Sequence, residues 1–462
     1  MCLKDIVIPA EIMGIQPDNV SGSPTDNRMG YHRQDGITYG LTSKGCRLVF
    51  LEVLAILMES TVTLPSSVLD KEIPGRPSRR VPNHKEDGSF KTRVAEGAVY
   101  DVTKFGAKPN ADIRQALLTA WRMACGTRTA STIIIPAATF SLSQILLQGP
   151  CGAPIGIELK GILKAPPLNQ IKADAWVVFQ KVDRLSLSGG GTFDGMGAEA
   201  WKTCVPKKKC PPRPSGVRFN YVNNSMINDI TSKDPKMFHI TVFGGTNVTF
   251  QRLTIVAPED SRNTDGLHIA RTSNIKVLDS KIGTGDDCIS FGDGAQNIHI
   301  EKVKCGPGHG ISIGSLGKYP SEQPVSGITV KDCTLTRTMY GARIKTWRGS
   351  PPSTASDIRF DGITMDNVAN PIIIDQEYCD ARFKCPAKPP SKVKISKVSF
   401  KNIKGSSKTP AAVKLLCSKD VPCENVEFGD IELTHNGGPA KSEITNVKPI
   451  ACGRVNPALG RA

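Results

Sequence analysis

The sequence predicts an all-β chain wound as a right-handed, single-stranded parallel β-helix with a short N-terminal capping helix. Two observations carry this reading. The first is a recurring phrase: "NVTFQRLTI" from Asn247, "NIKVLDSKI" from Asn274, "NIHIEKVKC" from Asn297, "GITVKDCTL" from Gly327, "DIRFDGITM" from Asp357, "KVKISKVSF" from Lys392 and "NVEFGDIEL" from Asn425. The copies follow at steps of 27, 23, 30, 30, 35 and 33 residues. Each holds a short run of alternating apolar residues, a polar bend and a second short run. Self-similarity at such periods means stacked units, and β-branched strands with Gly, Asn and Asp at the bends fit a coil of parallel strands. The two-residue alternation excludes helical repeats, and the regular leucine spacing of a leucine-rich repeat is absent. The second observation is one amphipathic helix ahead of the repeats, where a stack must cover its open apolar end.

In chain order, residues 1–97 are rich in Gly, Pro, Ser and charge, as in "PGRPSRRVPNHKEDGSFKTR", and read as a leader or disordered extension. It contains one apolar run at 47–58, "RLVFLEVLAILM", which is too short for a membrane span and resembles the core of a signal peptide; a short buried segment is the competing reading. The ordered domain is expected over 98–462. Its helix is expected from about Asp112 to Cys125, with Ile113, Leu117, Ala120, Trp121 and Ala124 on one face and Asn110 or Asp112 as cap. Asn247, Asn274 and Asn297, at equivalent bends, are candidates for a stacked ladder.

The chain has 462 residues and a formal net charge of +16, which favours an anionic partner. No dense basic module marks it as a nucleic-acid binder; Lys207-Lys208-Lys209 and Arg79-Arg80 read as solvated surface. Fourteen cysteines point to an oxidising, secretory compartment. Cys204/Cys210, Cys379/Cys385 and Cys417/Cys423 share one short gap, and Cys125/Cys151 and Cys288/Cys305 could close longer loops. Cys2, Cys46, Cys333 and Cys452 have no evident partner. Sequons at Asn19, Asn223 and Asn247 permit glycosylation.

The chemistry gathers where coils are short. Asp265 in "NTDGLHI" precedes Asp286 and Asp287 in "GDDCISF" by 21 and 22 residues, about one coil. Neighbouring coils stack roughly 5 Å apart, so the three carboxylates should converge. "GPGHG" places His309 one coil further on, and "GARIKTW" brings Arg343 and Lys345, whose i, i+2 spacing puts both on one side of a strand. "IIIDQEYC" adds Asp375, Gln376 and Tyr378. Asp286 and Asp287 can share one cleft only if the backbone bends, for which Gly283, Gly285 and Gly292 provide. Clustered carboxylates cannot all ionise easily, so one should keep a proton, giving an acid and a base together. Asp279 and Asp293 read as turn formers, and His268 and His299 as structural.

The motifs "NTDG", "GDD", "GHG" and "RIK", in this order, resemble the polygalacturonases, pectin-cleaving glycoside hydrolases with a parallel β-helix fold. The resemblance runs from about Val99 to about Pro449 and includes "GGGTFDGMG" and "GISIGSLG". The wording around the motifs is most similar to the pollen-type exopolygalacturonases of plants. It implies inverting hydrolysis of α-1,4-galacturonosidic bonds, with exo release of galacturonic acid, in the cell wall. Asp286 would then be the acid, Asp265 and Asp287 would activate water, and His309 would support the acid or the substrate. Arg343, Lys345 and Tyr378 would bind substrate, with Asn263 beside them. A secreted monomer acting on pectic polysaccharide is implied, with no metal, no cofactor, no nucleic acid and no stable membrane insertion. The chain departs from the family at Tyr340-Gly341-Ala342, usually Asn-Gly-Val, and at Ile444, where a late cysteine is usual, leaving Cys452 or another thiol without its normal partner. Three alternatives stand beside this reading: an endo-acting polygalacturonase, a pectin-binding wall protein without activity, and a calcium-dependent pectate lyase, whose motif order differs.

Overall fold

The computed structural model describes residues 97–204, 210–379 and 389–460. The stretch 1–96, with Cys2, Cys46, the Asn19 sequon and the apolar run, lies outside the described residues, as do Lys207-Lys208-Lys209 and Cys385. The expected parallel β-helix is the fold found. Each full coil contributes three strands, as in Ile240–Phe243, Thr246–Gln251 and Thr254–Val256. The first joins an 11-stranded sheet and the other two a 23-stranded one. Among the described strands every pairing is parallel except a terminal hairpin at Thr434–Pro439 and His435–Gly438.

Stacking is in register, so like residues meet coil after coil. Ile240, Leu267, Ile289 and Ile311 pair in one inward row. Val248, Ile275, Ile298, Ile328, Ile358, Val398 and Val426 form another. Aromatic rings stack where the core is widest: Phe360 on Phe400 at 5.5 Å and Phe400 on Phe428 at 5.1 Å. The rows also correct the reading of one repeat. The partner of Asp357 is Lys397, not Lys392, because Ile358 pairs with Val398. "KVKISKVSF" alternates on both sides of its true bend, so periodicity alone does not locate that bend. Lys397 marks it with a positive φ of 54°, as Asn247, Asn274, Asn297, Asp357 and Asn425 mark theirs. The asparagine ladder is partial: Asn297 donates to Asn274 and Asn247 to Asn224, while Asn274 turns to Thr246 Oγ1.

The helix spans Arg114–Gly126 and buries Ala116, Leu117, Ala120, Trp121 and Ala124. It packs on the strands Ala98–Asp101, Ser131–Ile135 and Ile145–Gln148 of the first coils. Trp121 Nε1 donates to Gln148 O at 3.1 Å, and the Cys125–Cys151 disulfide fastens its last turn. Asn110 does not cap it. Asp112 holds the first helical N–H, of Arg114, at 3.0 Å, and Ser143 with its other oxygen.

Cys204–Cys210, Cys288–Cys305 and Cys417–Cys423 are bridged as their spacing suggested. Cys379 and Cys452 are disulfide-bonded too, so Cys452 does not lack a partner despite Ile444. Cys333 is the free thiol among the described cysteines, buried and pushed up to about 12 by that burial. No described helix is long and apolar enough to cross a membrane.

Phe400 sits between two rings and is fully buried. Phe400→Ala should cost about 3–5 kcal/mol, read as a lower denaturant midpoint at unchanged slope.

Candidate active site

The site grows from the two shortest coils. Asp265, Asp287 and His309 each stand two residues ahead of a strand, Leu267–Ala270, Ile289–Phe291 and Ile311–Leu316. Those strands pair Leu267 with Ile289 and Ile289 with Ile311. The three side chains therefore share one column. Asp286 joins them because the chain bends at Gly285-Asp286. Gly285 is required there, since a Cβ would lie 2.0 Å from Ser261 O. The bend is fixed by His309 N, which donates to Asp286 O at 2.7 Å, and by Thr284 Oγ1, which donates to the same oxygen at 2.9 Å.

Each carboxylate has its own environment. Asp287 is 2% exposed and accepts from Lys345 Nζ and Ser312 Oγ, both at 2.7 Å. Asp265 is 6% exposed and accepts from Ser290 Oγ at 2.9 Å. Asp286 is the most open of the three, with its side chain 19% exposed. Its Oδ1 meets His309 Nδ1 at 3.0 Å and the Asp287 N–H at 2.9 Å, and its Oδ2 takes Asn263 Nδ2 at 3.3 Å. Asn263 is in turn held by Arg213 at 3.0 Å.

Arg343 and Lys345 lie on Tyr340–Trp347, the next strand along. The Arg343 guanidinium packs 3.6 Å from the Tyr340 ring centroid and 5.5 Å from that of Tyr378. Lys345 Nζ is 5.6 Å from the Tyr378 ring, while Tyr340 stands edge-on to His309 at 6.1 Å. The structure brings Asp265, Asp286, Asp287, His309, Arg343, Lys345, Tyr378 and Asn263 close together. Gln376 is not among them; it is buried and binds Val393 O and Ser418 N.

Burial and mutual repulsion separate the proton affinities. Burial, then the charges of Asp286 and Asp287, raises Asp265 well above the usual carboxylate range. Burial alone would raise Asp286 as well, but the His309 hydrogen bond and charge, with Lys345, overcome it and hold Asp286 far below that range. Asp286 in turn raises His309 against the opposing effect of burial. Of the two, Asp265 therefore holds a proton more tightly than Asp286. Donor atoms of Asp286, Asp287 and His309 lie within 4.8 Å of one another. Both oxygens of Asp287 already accept a hydrogen bond, Oδ2 from Lys345 and Oδ1 from Ser312.

Three contributors escaped the sequence reading. Ser290 and Ser312 orient Asp265 and Asp287, and His268, read as structural, bonds Ser290 at 2.8 Å. Their signal is the polar middle residue of "LHI", "ISF" and "ISI", which alternation turns outward onto the same face as Arg343. His299 instead pairs with Glu301 away from the cluster, and Asp293 with Arg271.

A stacked coil that sets an acid–base group of carboxylates beside cations has the equipment of a carbohydrate-cleaving hydrolase that handles acidic sugars. The chain belongs to the glycosyl hydrolases family 28, whose model matches residues 125–453. It is 50% identical over 369 residues to a polygalacturonase of Medicago sativa, spanning 78% of this chain and 87% of that one. It is 45% identical over 371 residues to an exopolygalacturonase of Platanus acerifolia, covering 79% and 98%. The structure is similar to endo-xylogalacturonan hydrolase from Aspergillus tubingensis, with a TM-score of 0.66, 25% identity and coverage of 77% and 100%.

The Lys345–Asp287 pair is buried on both sides, 8% and 2% exposed. Lys345→Met should cost about 3–5 kcal/mol because it strands a buried carboxylate, and adding Asp287→Asn should recover most of the loss in the unfolding midpoint.

Proposed function

We propose that this protein is a polygalacturonase that hydrolyses α-1,4-galacturonosidic bonds of pectic polysaccharide with inversion, releasing galacturonic acid from chain ends. The observation that carries the proposal is the division of labour within the column: two sequestered carboxylates, and a third that reaches the surface with a histidine. Asp286 donates the proton to the leaving glycosidic oxygen as the bond to C1 breaks. Asp265 and Asp287 hold a water on the opposite face; it attacks C1 and gives its proton to Asp265. Asp287, neutralised by Lys345, orients that water. Arg343 and Lys345 receive the uronate carboxylate, Tyr378 lines their side of the cleft, and Asn263 steadies Asp286.

The proton has to be on the Asp286 side when the bond breaks, although Asp265 binds it more tightly in the empty site. His309 resolves this. Protonated, it keeps one proton shared along its 3.0 Å contact with Asp286 and restores it from solvent after each turnover.

The net charge of +16 suits a polyanionic substrate, and the disulfides suit a secreted protein of the cell wall. The exo mode is favoured by the similarity to the Platanus acerifolia enzyme. Endo action is the runner-up, favoured by the similarity to an endo-acting hydrolase.

Polygalacturonic acid incubated with the protein at mildly acidic pH, without calcium, should yield saturated monomer alone from the earliest times on chromatography. A ladder of saturated oligomers would give the endo reading, unsaturated products a lyase, and no product from folded protein the inactive reading. Asp286→Asn should abolish turnover while leaving oligogalacturonide binding within a few-fold by calorimetry; turnover at the normal rate would refute the acid assignment. Rate against pH should be bell-shaped. The rising limb follows ionisation of Asp265, above the ordinary carboxylate value near 4, and the falling limb loss of the His309 proton, above the ordinary imidazole value near 6.5.

A further inference from the structure

One outward row runs along the floor of the cleft: Arg218, Thr241, His268, Ser290, Ser312 and Arg343. Ser312 serves Asp287 alone, but Ser290 has two partners. It lies 2.9 Å from Asp265 Oδ2 and 2.8 Å from His268 Nδ1. A hydroxyl has one hydrogen to give. With Asp265 ionised, as a base must be before it takes a proton, Ser290 donates to the carboxylate and accepts from His268. That fixes the imidazole with hydrogen on Nδ1 and a lone pair on Nε2.

Nε2 has no protein partner among the described residues. The imidazole borders a groove of about 440 Å³ that includes Arg218, Tyr221, Phe238, Phe243 and Asp293. Gly292, bare of a side chain, keeps the space beside Nε2 open, since a Cβ there would stand 3.3 Å from it. The ring is stacked on Phe238 at 5.2 Å. The charges nearest it are Asp287, Lys345, Arg218 and Asp293, and burial pushes the imidazole down to about 4, so it remains a neutral acceptor. The charges lining the groove are engaged, Arg218 with Asp174 and Asp293 with Arg271. What is left free to bind a ligand there, among the described residues, is aromatic surface, the Asn220 amide and the Nε2 lone pair.

We propose that His268 is a positioning residue with two ends: Nε2 accepts a hydroxyl of a sugar ring lying in the groove, while Nδ1–H holds Ser290 against Asp265. Filling the groove thereby fixes the orientation of the base. The inference rests on the assignment of Asp265 as the group that takes the proton from water.

The two ends separate by substitution. An asparagine amide reaches the place of Nδ1 but not of Nε2, and a glutamine amide the reverse. His268→Asn should keep kcat within about twofold and raise KM about tenfold, the worth of one hydrogen bond. His268→Gln should lower kcat about tenfold with KM little changed, and move the rising limb of the pH profile upward. The shift follows because Asp265, facing Asp286, Asp287 and Lys345, loses the Ser290 hydrogen bond that favours its ionised form. Equal changes in kcat and KM for both variants, or wild-type kinetics in both, would overturn the inference. Asp265→Asn separates the two levels of the argument. If it is inactive while His268→Gln keeps the wild-type kcat, only the role of His268 fails; if it turns over normally, the base assignment itself fails.

Discussion

Fixed spacing between stacked coils is the constraint on which this molecule turns. Parallel strands in register sit about 4.8 Å apart, and whatever occupies a column meets its own kind in the next coil. Inside, the rule builds a continuous core from Ile, Val and Phe. Outside, in the column of Asp265, Asp287 and His309, it forces acidic groups together. Such a cluster survives only if each charge is answered individually. Lys345 answers Asp287, His309 answers Asp286, and Asp265, which accepts from a serine hydroxyl and is bonded to no cation, is pushed toward its neutral form by burial and by its two carboxylate neighbours. The same fold that creates the repulsion thus sets Asp265 and Asp286 apart in proton affinity, which acid–base cleavage requires.

The two cations are both buried and differ in contact. Lys345 bonds Asp287. Arg343 is positioned mainly by aromatic faces, and Tyr340, where the family usually has asparagine, supplies the closer one. That ring also borders His309, so one departure from the family pattern touches both the histidine that bonds Asp286 and the Arg343 guanidinium. Farther along the floor the groove is aromatic and its charges are paired. The cleft therefore changes character along its length, from cationic near Tyr340–Trp347 to largely neutral near His268.

Much of this was legible in the sequence because bends and charges are conspicuous. "NTDG", "GDD", "GHG" and "RIK" combine glycines with ionisable groups at coil spacing, and the structure brings all of them into one site. Four of the suggested disulfides are formed, two across gaps of 6 residues and two across gaps of 17 and 26. What stayed hidden had no such mark. Ser290 and Ser312 look like ordinary strand serines until the register shows which carboxylate each one meets. The hydrogen bond of His268 to Ser290 in the neighbouring coil carries no mark in the sequence. The bend at Lys397 was missed because alternation continues through it.

The account stands on water attacking from the face opposite Asp286, placed by Asp265 and Asp287. The stereochemistry of the first product reports this directly. Proton NMR of polygalacturonate digestion, recorded before mutarotation, should show the new reducing end appearing as the β anomer from the α linkage. An α anomer appearing first would mean retention through a covalent intermediate, and the arrangement described for the three aspartates would be wrong.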